Sequence, residues 1–355
     1  MATTASITPT QQAFSCKTLL ERALPFLILE QIGQLKPLPA HQTKTMNFRR
    51  HKLTAVASQV GANGEVLQAG ALSAFVLTEG TTPTELATSM ENIDVTLAQY
   101  GAVVSVTDQV DDTHIDNVLE EYMGILGENA GQVIELMRWI GIAGAAGVNV
   151  LFTNGVAGDS TVATAFGPKE LRAAVRSIRA NHGRPITKVV KSNVNYGTQA
   201  IEPAFIAVVH SDLEGSIRKN LGANFTPVAD YGSNASILQG EFGNFENVRF
   251  LSSSLMGKRP NAGGLAATHT TLHSDNATNV NLYDVLVFAA DAWAGVALKG
   301  AYGVQPTMVR ATESDSDPLA QRSKAGYKTM QAVKVLQPAH IKKIVTGAFN
   351  DANLA

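Results

Sequence analysis

The residues of this 355-residue chain that could do chemistry are few and scattered. His269 and His273 have the i, i+4 spacing of a helical metal pair. Thr270, Thr271 and Leu272 stand between them, with no Glu to serve as a general base. A zinc centre needs three or four ligands on a fixed frame. Gly263, Gly264, Thr268, Ser274 and Asn276 instead surround the pair with loop-forming residues, so a loop is expected. Asp315-Ser316-Asp317 opens like a calcium loop. Ala320 occupies the sixth position, which needs Gly, and the closing Glu is missing, so the run reads as an acidic turn.

Other motifs fail on similar grounds. Gly257-Lys258 lacks the following hydroxyl residue and the upstream glycine of a phosphate loop. Gly158-Asp159-Ser160 is not a nucleophile elbow, because Val162 stands where the last glycine belongs. Asp111-Asp112 and Glu120-Glu121 sit at an expected helix start, where negative charge offsets the helix dipole. Lys342-Lys343 reads as a solvated strand face. Cys16, the single cysteine, lies in an apolar, helix-like stretch as an inert thiol, and a lone cysteine forms no intrachain disulfide. No catalytic constellation, cofactor site or metal site is expected, and the protein does not read as an enzyme.

Composition narrows the remaining classes. The sequence is 45% hydrophobic and 16% charged, values typical of an ordered protein, and it is long enough for two domains with appendages. A formal net charge of −2 provides no global basic field for reading nucleic acid. Met1–Thr10 has no basic segment leading into an apolar run, so no signal peptide is expected. The apolar stretches at Pro25–Leu29 and Trp139–Val150 are too short, or too rich in Gly and Ala, to cross a membrane.

The pattern along the chain is more informative than its chemistry. Gln11–Gly33 reads as helical with a break at Pro25, ended by Pro37 and Pro39. Thr45–His51 alternates as a strand, and residues 56–71, with Gly61, Gly64 and Gly70, read as an exposed hairpin tip. Thr78–Pro83 is a turn. Ile93, Val95 and Leu97 alternate with Asp94, Thr96 and Ala98 as a half-buried strand, which Gly101 punctuates and Val103, Val104 and Val106 extend. Thr113–Val150 then reads as one long helix, opening on Thr113 and Asp116 and carrying Ile115, Leu119, Tyr122, Leu126, Val133, Met137 and Ile140 at three-to-four spacing. About 38 residues would span roughly 57 Å. Pro168 marks the start of a second helix, with Leu171, Val175 and Ile178 on one face and Arg172, Arg176 and Arg179 on another. Beyond Ile186, short strands at Ala204–Val209, Val248–Leu251 and Val285–Ala289 and a helix at Leu213–Leu221 suggest a separate α+β domain. Met308–Ala311, Tyr327–Leu336 and His340–Val345 close the chain as strands.

Several segments, in order, resemble the major capsid proteins of tailed bacteriophages, of the podovirus type. They are Leu19-Leu20-Glu21-Arg22-Ala23-Leu24-Pro25, Gly33-Gln34, Lys36-Pro37-Leu38-Pro39, and Thr45 to Phe48-Arg49-Arg50. Leu77-Thr78-Glu79-Gly80 with Pro83, Gln99-Tyr100-Gly101 with Asp108, and Glu202–Asp212 continue the series. Gly240-Glu241-Phe242-Gly243 to Val248-Arg249-Phe250 and Asp317-Pro318-Leu319-Ala320-Gln321-Arg322 to Gly326-Tyr327-Lys328 complete it. The sequence departs from the family where Ala320 replaces the usual Gly and Tyr327 the usual Trp, and in a longer stretch between Leu53 and Leu77.

The resemblance implies an α+β, HK-97-like tailed-phage capsid fold. Residues 1–43 would form the N-arm and 44–88 the extended β-hairpin E-loop. The peripheral domain would span 89–185 with a spine helix over 113–150, the axial domain 186–305, and 306–355 would return to the peripheral domain. It implies self-assembly into hexamers and pentamers of an icosahedral head in the virion, built in the host cytoplasm and enclosing double-stranded DNA without sequence-specific binding. A portal protein, a separate scaffolding protein and a decoration protein are the implied partners, with no membrane and no cofactor. The separate scaffold is expected because barely ten residues precede the first helical segment. Arg49, Arg50, Glu79, Gly80, Arg322 and Lys328 are the inter-subunit interface candidates, with hinging near Gly80 and Gly101. The alternatives are a cargo-holding bacterial shell of the same fold and an oligomeric enzyme with its site in the loop-rich domain.

Overall fold

A computed structural model of the chain describes residues 19, 22, 26–39, 41, 43–51, 76–82, 90–113, 118–190, 198–232, 236–298, 304–309, 311, 313 and 318–354. Cys16, most of the Gln11–Gly33 stretch, the tip at 56–71 and Asp315–Asp317 lie outside the described residues. Two compact units are present: Thr45–Thr96, and Met1–Lys44 with Leu97–Ala355.

The smaller unit, the arm, is built on β2 (Thr45–His51) and β3 (Met90–Thr96), paired antiparallel from Thr45↔Thr96 to His51↔Met90. Side chains alternate between its faces. Met46, Phe48 and Arg50 share one face with Val95, Ile93 and Glu91, and Phe48 and Val95 are buried. Asn47 and Arg49 share the other with Asp94 and Asn92. The unit reaches Thr96 rather than ending at residue 88, because β3 is the partner strand of β2.

The strand expected from Ile93 to Val106, punctuated at Gly101, is two strands. They divide at Leu97, whose N–H donates to the Lys44 carbonyl at 3.0 Å. β4 (Ala98–Thr107) belongs to the larger unit and pairs antiparallel with β15 (Arg322–Val335). Gly101 therefore does not punctuate or hinge. It lies mid-ladder opposite Lys328, where a Cβ would stand 2.5 Å from the Tyr327 carbonyl oxygen.

β15, 14 residues long, organises a five-stranded sheet. On the side away from β4 it pairs with β14 (Gln305–Val309) and β13 (Trp293–Leu298). β13 in turn holds β1 (Gln34–Leu38) in parallel. The prolines were expected to end structure here, yet Pro37 lies within β1. Among the described residues β1 pairs only with β13, and an edge strand tolerates the missing donor.

One face of this sheet carries α2 (Val118–Ala143), preceded by the short α1 (Asp108–Thr113). Met123, Leu126, Ala130 and Ile134 pack with Val106, Ala325 and Tyr327. The spine is 26 residues, about 39 Å long, not the unbroken 113–150 helix expected. It stops at Ala143 because Gly144 begins a turn in which Gly147 has φ +84°, and β5 (Asn149–Phe152) follows. Ile115 and Asp116 lie outside the described residues.

A nine-stranded sheet forms the remainder, in the order β5-β16-β12-β7-β10-β9-β8. Its members are β7 (Thr198–His210), β8 (Phe225–Pro227), β9 (Glu241–Phe245), β10 (Val248–Ser253), β12 (Leu282–Phe288) and β16 (Ile341–Thr346), with β6 (Ile186–Val190) on β7 and β11 (Lys258–Arg259) on β12. Every residue of β12 is buried, as its near-continuous apolar run requires of a strand covered on both faces. On one face Phe205, Ala207 and Val209 pack with α3 (Pro168–Ala180) and α4 (Leu213–Leu221) through Leu171, Ile178, Leu213 and Ile217. On the other, Ile206, Val208, Leu286 and Phe288 meet Trp139, Ile142 and Trp293.

The larger sheet is thus not confined to residues 186–305. The larger sheet takes β5 and β16 from outside that range and gives β13 to the smaller sheet. β16 also departs from the expectation that 306–355 returns to the peripheral sheet. Its Lys342 and Lys343 are half-buried rather than solvated, with Lys343 Nζ 3.9 Å from Asp284 Oδ2.

Candidate inter-subunit surfaces

Alternation along β15 sorts its residues into two sets. Ser323, Ala325, Tyr327, Thr329 and Gln331 are buried, and the Tyr327 hydroxyl donates to Asn129 Oδ1 of α2 at 2.7 Å. Arg322, Lys324, Lys328 and Lys334 are exposed on the opposite face. Their ladder neighbours on that face are Gly101, Val103, Ser105 and Thr107 of β4 and Gln305, Thr307 and Val309 of β14, none of them acidic. Val103 and Val309 are 68% and 50% exposed. At about 3.4 Å rise per residue, the Lys324 and Lys328 Cα atoms lie roughly 13 Å apart, with Gly326 between them. The result is a basic, partly apolar patch around a position without a side chain.

The arm residues fall into three situations. Arg50 pairs with Glu91 across the ladder, on the face that carries Phe48. Arg49 is exposed on the other face, opposite Asn92. Glu79 and Gly80 are the central pair of a turn closed by Thr81 N–H to the Thr78 carbonyl, 3.2 Å, and reinforced by the Thr81 hydroxyl to the same oxygen, 2.8 Å. Gly80 has φ +80°, which an L side chain resists. Val76 and Leu77, just before the turn, are 72% and 75% exposed.

Arg322 and Lys328 are therefore brought onto one face and Arg49 and Arg50 are separated. Lys324, Val103, Val309, Val76 and Leu77 escaped the sequence reading. The alternation of Arg322, Lys324 and Lys328 was a visible signal for the first of them.

The polar clusters elsewhere are structural. Glu135 is fully buried on α2. Its Oε1 accepts the N–H groups of Ile28 at 2.9 Å and Leu29 at 2.6 Å, while Oε2 has no hydrogen-bond partner. Burial pushes its carboxyl up to about 7 despite Arg138 at 3.9 Å. Arg138 also binds Glu30 at 3.1 Å. Arg259 joins Asp159 at 2.5 Å and the buried Asp284 at 2.6 Å, and burial raises the Asp284 carboxyl. His273 Nδ1 lies 2.7 Å from Asn281 Nδ2 within a loop network that includes Asp275. No group of three or more His, Cys, Asp or Glu residues arranged for a metal occurs among the described residues.

Residues 91–344 match the phage capsid protein family, and the chain belongs to that family. It is a capsid protein, a structural subunit of a phage shell. Solved capsids share the fold. The capsid of Ralstonia phage GP4 aligns with a TM-score of 0.59 at 13% identity, over 91% of this chain and 90% of that one. The cyanophage Pam1 capsid gives 0.56 at 17%, over 93% of each. The head of Helicobacter pylori bacteriophage KHP40 gives 0.56 at 10%, over 88% and 87%. No curated protein matches the sequence.

Proposed function

We propose that copies of this chain close into hexamers and pentamers, each arm lying over a neighbouring subunit, to form a head that encloses double-stranded DNA without reading its sequence. The observation that carries this reading is the arm itself. It is a separate unit whose described ladder is two strands, and a two-stranded hairpin is marginal alone. Stable protein interfaces bury about 1,200–2,000 Å², and an arm laid across a neighbour supplies area of that order. The net charge of −2 suits a container that must not grip its contents. A separate scaffolding protein, a portal and a decoration protein complete the proposed assembly, which takes place in the host cytoplasm. Arg49, Glu79, Gly80, Arg322 and Lys328 are the proposed contact residues.

Electron microscopy of the purified chain, alone and co-expressed with a scaffolding protein, tests the proposal. Closed shells or six- and five-membered rings are expected. Discrete small oligomers under both conditions would overturn it.

A further inference from the structure

A groove of about 570 Å³ runs between α3 and the turn that joins β9 to β10. Leu171, Val175 and Val248 give it an apolar wall, and Arg172, Arg176 and Arg179 line its helix side. The arginines stand at i, i+4 and i+7 of α3, so they share one face over about 10 Å. All three are exposed. Glu246 is the one carboxylate of the lining, and its Oε1 accepts from Arg172 Nε at 2.9 Å and Nη2 at 2.7 Å. Arg172 also lies over the Phe245 ring and Arg179 over the Phe205 ring, each at 5.5 Å. A guanidinium stacked on a ring keeps its N–H donors available in a fixed plane. Arg176, between them, has no ion pair or ring contact among the described residues. The lining thus holds two more cations than anions beside an apolar wall.

We propose that this groove docks an acidic amphipathic helix of a different protein. Apolar side chains of that helix cover Val175 and the wall beside it. Carboxylates at i, i+4 and i+7 match the spacing of the arginines and pair with them. Helix-in-groove docking takes an apolar stripe as its anchor, and arginine pairs with carboxylates in a bidentate, geometrically selective way. The capsid reading neither supplies nor requires this site.

Two other occupants fit less well. Duplex DNA offers phosphates but no apolar side chains, so Leu171, Val175 and Val248 would stay unmatched, and few cations are left to displace its counterions. A second copy could present α2, whose Glu121, Ile125 and Glu128 have the right spacing. Arg22 of the same chain already stands 3.9 Å from Glu121 and 3.8 Å from Glu128.

Fluorescence anisotropy on the full chain tests the proposal. The probe is a labelled synthetic helix with Glu at i, i+4 and i+7 and Leu beside them, and saturable binding is expected. Gln for Glu in the peptide, or Ser for Leu, should each weaken binding at least about tenfold. Arg176→Glu with Arg179→Glu should do the same, and a peptide with Lys for Glu should bind the folded double variant. Arg179→Glu gives up the contact with Phe205, so Arg176→Glu alone is the second variant, with a loss of at least about threefold expected. No saturable binding by the wild type, equal binding by the Arg176→Glu variant, or no loss with the Ser peptide would overturn the docking. Failure of the Lys peptide on the folded double variant would do so too. Duplex DNA that binds as tightly as the acidic peptide, and is lost in the same variants, would replace the peptide site with a phosphate-binding surface. None of these outcomes bears on shell formation, which microscopy reads separately.

Discussion

Glu135 and Arg138 stand three residues apart on α2, 3.9 Å from each other, yet the carboxylate's hydrogen bonds go elsewhere, to the N–H groups of Ile28 and Leu29. A spine-helix side chain thereby holds a segment about a hundred residues earlier in the chain. Because burial raises the folded-state carboxyl to about 7, above its ordinary 4.5, the folded protein holds a proton that the unfolded chain releases between those values. The stabilisation is fully present below pH 4.5 and is lost as pH rises through about 7. Chemical denaturation from pH 4.5 to 8 should show this decline, with a local slope of up to about 1.4 kcal/mol per pH unit. Glu135→Gln should flatten it. Glu135→Ala, which strands two buried donors, should cost about 2–4 kcal/mol near pH 4.5 and progressively less as pH rises toward 7, because the wild-type contribution falls over that range.

Ala320 occupies a φ of +52°, a left-handed conformation that disfavours any Cβ. The family's usual glycine at this position now has a physical reason. Ala320→Gly should stabilise the chain by about 1 kcal/mol, seen as a higher thermal midpoint. An unchanged or lower midpoint would show that the strain is relieved by other means.

Arg49 and Arg50 should separate in experiment although they are adjacent. Arg50→Ala removes the pair with Glu91 within the ladder. It should loosen the arm by about 0.5–1 kcal/mol, read as faster amide exchange over β2 and β3. Arg49→Ala should leave exchange unchanged and lower assembly yield alone.

Arg259 bridges Asp159 and Asp284 while Lys343 stands 3.9 Å from Asp284. Arg259→Ala leaves a buried carboxylate with one distant cation, at a cost of about 3 kcal/mol. Adding Asp284→Asn should recover most of that loss in the same denaturation measurement.

Local patterns in the sequence were read well where local forces decide. β2 covers Thr45–His51, α4 covers Leu213–Leu221, and Pro168 opens α3, all as alternation, helical spacing and a proline at the first helical position indicate. Long-range pairing was not legible. Nothing near Gln34–Leu38 announces that Trp293–Leu298 will receive it in parallel, and nothing in Ile341–Thr346 says which sheet it will join. The small residues after Ile142 read as a weak helix continuation, whereas the pairing of β5 with β16 favours ending the helix there. The interface candidates were partly legible for the same reason. Alternation brings Arg322 and Lys328 to one face, but the exposure of Val103 depends on a strand about two hundred residues later in the chain, and that of Val309 on its place beside the same strand.

The two-sided character of β15 has an evolutionary consequence. Its odd-numbered residues from Ser323 to Gln331 are fixed by the chain's own interior, whereas Arg322, Lys324 and Lys328 lie clear of it. A lineage can therefore rewrite the outer alphabet of this strand one residue at a time, without renegotiating the fold beneath it. A single inserted residue would do the reverse, turning lysines inward and aromatic packing outward in one step. Changes at Arg322, Lys324 and Lys328 should be answered on a partner surface rather than in the interior, Gly326 should stay without a side chain, and insertions should be purged from the whole strand.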